Sequence, residues 1–289
     1  MDEDLRSLRP LATLDRRGFV TTALAGGFAA ATLPVSAETL TTSAEGLDVG
    51  EVRIPVADGL LPAYYARPTR GSKLPVVLVV QEIFGVHEHI RDVCRRFAQR
   101  GAIAVAPELF ARQGDPSKVA DIQALMRDVV SKVPDAQVMG DLDACEAWAR
   151  TEGADAARLG ITGFCWGGRI TWLYAAHNPA VKAGVAWYGR LVGNVSATEP
   201  RHPVDLAGDL KAPVLGLYGA ADTGIPLDTV ERMKAALAAG SPAARASEFQ
   251  IYPDAPHAFH ADYRATYRKP AADDGWQRCM GWMRKHGVA

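Results

Sequence analysis

The chain has almost no excess charge. Its 32 Lys and Arg face 33 Asp and Glu, a formal net charge of −1 over 289 residues. That balance leaves no electrostatic footprint for nucleic acid or an acidic surface as the main partner. Cysteine is also scarce. Cys94, Cys145, Cys165 and Cys279 form no C-x-x-C pair and join no Cys/His cluster at zinc spacing, so neither a disulfide framework nor a zinc module is expected. No G-x-x-x-x-G-K-[ST] phosphate loop occurs. The first buried strand runs into Gln81-Glu82-Ile83-Phe84-Gly85, not into G-x-G-x-x-G, which argues against a dinucleotide site. His87-Glu88-His89 lacks the H-E-x-x-H spacing, and no metal or cofactor is expected. No Gly/Ser linker divides the chain and no internal repeat is visible, so residues 50–289 are read as a single domain.

What is present starts with an N-terminal segment, 1–37, that is read apart from the fold. Arg16-Arg17 is followed by Phe19 and a weakly apolar, Ala- and Gly-rich run to Leu33, then by Val35-Ser36-Ala37. This resembles a twin-arginine (Tat) export signal, with cleavage expected after Ala37. The run is too short and Gly-rich for a stable membrane anchor. The resemblance implies the Tat machinery as a partner and a periplasmic destination. Residues 38–49 read as a polar linker.

Beyond it, strands alternate with helices. Strand patterns cover 49–56, 60–67, 75–81, 102–106, 158–162, 181–187, 214–218 and 248–252. Helical patterns cover 87–100, 118–133, 135–150, 169–177, 227–239 and 272–286. The fold class is therefore α/β, with a mostly parallel central sheet and helices on both faces. The stretch 189–211 shows few periodic signals and is expected to be a loop that covers the pocket.

The most informative stretch is Gly163-Phe164-Cys165-Trp166-Gly167-Gly168. It is the cysteine form of G-x-S-x-G, a strand–turn–helix corner that exposes a nucleophile at a strand end and a helix N-terminus, where a thiolate is favoured. Such a corner calls for an acid and then a histidine downstream, each after a strand. Asp222 follows strand 214–218 and His257 follows strand 248–252. The histidine takes the thiol proton and the carboxylate fixes its tautomer. The oxyanion hole is expected from the backbone N–H groups of Trp166, next to the nucleophile, and Ile83, after strand 75–81. Tyr188, at the end of strand 181–187, is a candidate pocket residue. The other three cysteines sit in helical patterns and are read as core.

Across 50–287, five separated motifs resemble the dienelactone hydrolase (carboxymethylenebutenolidase-like) family of α/β-hydrolases. They are Gln81 to Gly85, Ala106-Pro107-Glu108-Leu109-Phe110-Ala111-Arg112, Gly163 to Gly168, Trp187-Tyr188-Gly189, and His257-Ala258-Phe259. The resemblance implies a Cys165–His257–Asp222 triad and hydrolysis of a lactone or small carboxylic ester through a thioester. It also implies that Glu82 holds the resting cysteine until substrate displaces it, and that Arg112 binds a substrate carboxylate. Where members acting on dienelactone carry a second carboxylate-binding arginine, this chain has Ala261. That leaves the substrate open, with Arg264 as a candidate substitute. A general small-ester carboxylesterase and a non-catalytic ligand-binding protein on the same scaffold are the alternative readings. A thiol redox protein is disfavoured by the lack of a nearby resolving cysteine. Monomer and small homo-oligomer are both left open.

Overall fold

The computed structural model describes residues 40–288. Eight strands form one sheet: β1 (Leu47–Val56), β2 (Gly59–Pro68), β3 (Leu74–Val80), β4 (Ile103–Pro107), β5 (Ala154–Phe164), β6 (Val181–Trp187), β7 (Val214–Gly219) and β8 (Glu248–Tyr252). Their spatial order is β1-β2-β4-β3-β5-β6-β7-β8. Only β2 pairs antiparallel, with β1 and with β4; β4 through β8 run parallel. Two central strands show why. Val76 to Val80 of β3 and Val214 to Gly219 of β7 are buried throughout, so each needs a helical layer on both faces.

The helices are α1 (Glu88–Ala98), α2 (Ile122–Asp128), α3 (Asp135–Thr151), α4 (Trp166–His177), α5 (Leu227–Ala238), α6 (Pro242–Arg245) and α7 (Lys269–Lys285). In α1 the sequence pattern translates directly: Ile90, Val93, Cys94 and Phe97 are buried together. None of the helices among the described residues is long and apolar enough to cross a membrane. This is the α/β-hydrolase architecture, with a mostly parallel sheet and helices packed around it.

Two expectations need correction. The helix read over 118–133 is a short α2 flanked by single 3-10 turns at Pro116–Lys118 and Val130–Lys132. Asp121 caps Ala124 N–H through its side chain, which starts the helix late, and the β-branched Val129-Val130 pair sits where it stops. The stretch 38–49 is not a free linker. From Leu40 on it is tied to the domain: Leu40 N–H donates to Asp262 Oδ2 and Thr42 N–H to Asp92 Oδ1. Residues 47–49 belong to β1. Backbone N–H groups here serve two buried carboxylates, a role that hydrophobic periodicity cannot report. The expected export signal, 1–37, lies outside the described residues.

Candidate active site

The site is built at the C-terminal ends of β3, β5, β6, β7 and β8. β5 ends at Phe164, Cys165 is the N-cap of α4, and Trp166 is already helical. To turn that sharply, Cys165 adopts φ 55° and ψ −115°, a conformation that costs an L-residue on the order of 1–3 kcal/mol. The flanking glycines make the corner possible by their size. A Cβ on Gly163 would lie 2.1 Å from the Gly167 carbonyl oxygen, and one on Gly167 would lie 2.5 Å from those of Val80 and Gln81. The elbow is thus wedged against the end of β3.

Asp222 follows β7 and His257 follows β8. His257 Nδ1 lies 2.7 Å from Asp222 Oδ2, and Nε2 lies 3.1 Å from Cys165 Sγ. Asp222 Oδ1 also accepts from the N–H groups of Gly224 and Ile225 at 3.0 and 3.2 Å. This fixes the carboxylate independently of the histidine. Burial opposes charge on His257, but Cys165 and Asp222 on either side outweigh it and hold its pKa well above the ordinary value. Both neighbours thus favour a proton on the imidazole.

A cavity of about 280 Å³ opens on Cys165 and His257. Ile83 and Trp166 line it. Trp166 is the first residue of α4, and its N–H has no intrahelical acceptor, so the backbone donors expected at the oxyanion position are in the right neighbourhood. Tyr188 lines it too. Its ring meets His257 edge-on at 5.2 Å, and its buried hydroxyl has no hydrogen-bond partner among the described residues. Burial, with Glu82 adding to it, pushes the phenol well above its ordinary pKa, so it stays an O–H donor. Tyr188 (φ 39°) and Ala258 (φ 59°), like Cys165, take left-handed backbone. Three of the four such non-glycine residues among the described residues therefore cluster here, as strained positions at functional sites do.

Sequence reasoning did not single out the rest of the wall. Met126 and Val130 come from α2 and the turn after it, Arg190, Ser196, Thr198 and Glu199 come from the 189–211 loop, and Ile225 comes from the loop after β7. The loop is stitched down: Thr198 Oγ1 donates to Ser131 O at 3.1 Å, Asp135 N–H donates to Thr198 O at 2.9 Å, and Arg190 pairs with Glu199 at 2.5 Å.

Three expected residues stand elsewhere. Arg112 does not line the cavity. Its guanidinium is held by Asp141 on α3 and by Asp58 in the β1–β2 turn, because the buried Asp141 carboxylate needs a charged partner. Glu82 makes no hydrogen bond to Cys165. Tyr263 Oη donates to its Oε2, and His87 Nε2 lies 3.3 Å away. Arg264 reaches Tyr263 Oη through Nε at 3.2 Å and lies over the Phe84 ring; it does not enter the cavity wall as a substitute for the arginine absent at Ala261.

Comparison with known proteins identifies the family. The model described as "Dienelactone hydrolase family" matches residues 61–287. The chain belongs to the dienelactone hydrolase family. A Methylorubrum extorquens protein provisionally named carboxymethylenebutenolidase is 63% identical over 290 residues, covering 100% of this chain and 99% of the relative. A Salmonella typhimurium protein with the same provisional name is 55% identical over 269 residues, 93% of this chain and 98% of its own. A crystal structure provisionally assigned as a dienelactone hydrolase, from Klebsiella pneumoniae, superposes with TM-score 0.80 at 60% identity, over 82% of this chain and 98% of that one. This dienelactone hydrolase family member is a carboxymethylenebutenolidase-type hydrolase.

Proposed function

We propose that the protein hydrolyses a lactone or a small carboxylic ester by covalent catalysis at Cys165. The observation that carries this is the unbroken series Asp222 Oδ2, His257, Cys165 Sγ, with contacts of 2.7 and 3.1 Å at the mouth of a cavity. Sγ attacks the acyl carbon while His257 holds the thiol proton, and the carbonyl oxygen becomes an oxyanion between the N–H groups of Trp166 and Ile83. The tetrahedral species collapses, the C–O bond breaks, and His257 Nε2–H protonates the departing alkoxide. In a lactone that oxygen stays tethered to the acyl group. Water then gives a proton to His257 and attacks the thioester; the C–S bond breaks, His257 returns its proton to sulfur to restore the thiol, and the released acid loses its proton to solvent as the carboxylate. Tyr188 offers a further donor within the cavity.

Glu199, Arg190, Ser196 and Thr198 give the wall polar groups, and Met126 and Val130 give it apolar ones. Loop 189–211 therefore covers the pocket and selects the non-reacting part of the substrate. The test is a panel of lactones and short acyl esters with purified protein. Cys165→Ala should abolish turnover while its unfolding midpoint stays near wild type; retained turnover would overturn the assignment. A loop-shortened variant with unchanged preference across the panel would remove the loop from the argument. For residues 1–37 we propose Tat-dependent export, read from Arg16-Arg17 and the segment after it. Fractionation of cells with and without Arg16→Lys/Arg17→Lys tests this, and an unchanged distribution counts against it.

A further inference from the structure

Glu82 is a buried carboxylate that shares its neighbours with Cys165: both act electrostatically on Tyr188 and on Arg264. It stands two residues past the end of β3, is 1% exposed, and precedes the cavity residue Ile83. A second negative charge against Sγ would raise the cost of forming a thiolate. The structure turns that charge elsewhere. The Tyr263 hydroxyl donates to Glu82 Oε2, and His87 Nε2 lies 3.3 Å from the same oxygen. Tyr263 Oη in turn accepts from Arg264 Nε at 3.2 Å. The Arg264 guanidinium packs 5.0 Å from the Tyr263 ring centroid and 4.8 Å from that of Phe84, and the His87 ring meets Tyr263 edge-on at 4.9 Å. The hydroxyl is thus oriented by one donor behind it and one acceptor in front. Meanwhile Sγ faces His257 Nε2 at 3.1 Å.

We propose that Tyr263, backed by Arg264 and His87, is a positioning residue that holds the Glu82 carboxylate off Cys165, so that the thiol is paired with His257 before any substrate arrives. The proposal rests on Cys165 being the nucleophile, and it deepens that reading by making the enzyme permanently armed. The charges support it. Burial alone would raise the Glu82 carboxyl, but the His87 hydrogen bond and the Arg264 charge hold it well below the usual carboxylate range. An anion so stabilised gains little by moving to a thiol. Without the Tyr263 hydroxyl the carboxylate loses its shortest contact, and on this proposal it turns to the Cys165 S–H. Each unit by which the thiol pKa then rises cuts the thiolate about tenfold.

The experiment is the rate of iodoacetamide alkylation of the full-length protein at fixed neutral pH without substrate, read by intact mass and peptide mapping. Cys94, Cys145 and Cys279 are buried, so the label reports Cys165. Wild type and Glu82→Gln should alkylate within about threefold of each other. Tyr263→Phe should slow alkylation at least about tenfold, and Tyr263→Phe/Glu82→Gln should return to within about threefold of wild type. Acceleration by Glu82→Gln alone would mean that the carboxylate already restrains the thiol, and would overturn the proposal. Equal slowing in the Tyr263 single and double variants would overturn it too, because Tyr263 would then only support packing. Where Tyr263→Phe fails to fold, Arg264→Gln, with and without Glu82→Gln, carries the same two expectations and the same refutations. Failure of the nucleophile reading looks different: Cys165→Ala would keep ester turnover, whatever the four alkylation rates.

Discussion

Asp222→Asn is the sharpest test of how the site works, because the structure fixes what the amide must do. Asp222 Oδ1 accepts from Gly224 and Ile225 N–H groups at 3.0 and 3.2 Å, while Oδ2 takes His257 Nδ1 at 2.7 Å. An asparagine keeps the two backbone bonds only by leaving its oxygen on that side. Its NH₂ group then faces His257 Nδ1, and the ring must accept there and carry its proton on Nε2. That proton points at Sγ, 3.1 Å away, so the imidazole can no longer take the thiol proton. The carboxylate charge is lost as well. At an effective dielectric near 20 and about 4 Å between charge centres, it is worth roughly 4 kcal/mol to the imidazolium. At about 1.4 kcal/mol per decade, kcat/KM for an ester substrate should fall roughly 10³-fold. The fold should survive, since the backbone bonds are kept. The assay is ester hydrolysis, with Cys165 alkylation across pH as a second readout. Activity within about tenfold of wild type, with an unshifted alkylation profile, would refute the role given to Asp222.

Other predictions follow the same geometry. Arg112→Ala should leave KM for acidic and neutral esters within about threefold but lower stability by about 1–3 kcal/mol, because the buried Asp141 loses its partner; a tenfold KM rise confined to carboxylate-bearing substrates would return Arg112 to the substrate. Gly167→Ala should destabilise by at least about 1–3 kcal/mol, since its Cβ meets two backbone carbonyl oxygens at 2.5 Å; an unchanged denaturation midpoint would refute the steric account. The folded Glu82 carboxyl titrates below its ordinary 4.5, so the unfolded chain binds the extra proton, and Glu82's contribution, complete above that pH, is lost as pH falls toward the folded value. Glu82→Gln should therefore flatten the stability loss below about pH 4.5, as followed by denaturant midpoints; parallel wild-type and variant curves would show no such linkage.

The sheet is legible in the sequence because its central strands are short apolar runs with no other stable fate. Cys165, Asp222 and His257 are legible because each stands just past a strand, where a parallel sheet gathers its loops. What is not legible depends on contacts that no period encodes. Arg112 reads as a pocket residue from its motif, yet its destination is set by Asp141, 29 residues away, and Asp58, 54 away. Nor does anything in 189–211 mark Ser196, Thr198 and Glu199 as cavity wall, because irregular backbone is placed by individual hydrogen bonds and not by burial of one face.

Glu82 carries this furthest. Read next to its motif, it is the group that restrains the cysteine, and that inference depends on the two side chains having no better partners. The better partner is Tyr263, 181 residues later, delivered by the same loop that brings His257 to Sγ. One segment thus sets both the base and the restraint. His257 lies at its start, φ turns positive at Ala258, and Tyr263 and Arg264 close it against Glu82. Moving the loop would withdraw the base from Sγ and release the carboxylate together. On the proposed roles, the loop after β8 is therefore the element whose position decides whether Cys165 faces an acceptor for its proton or a like charge.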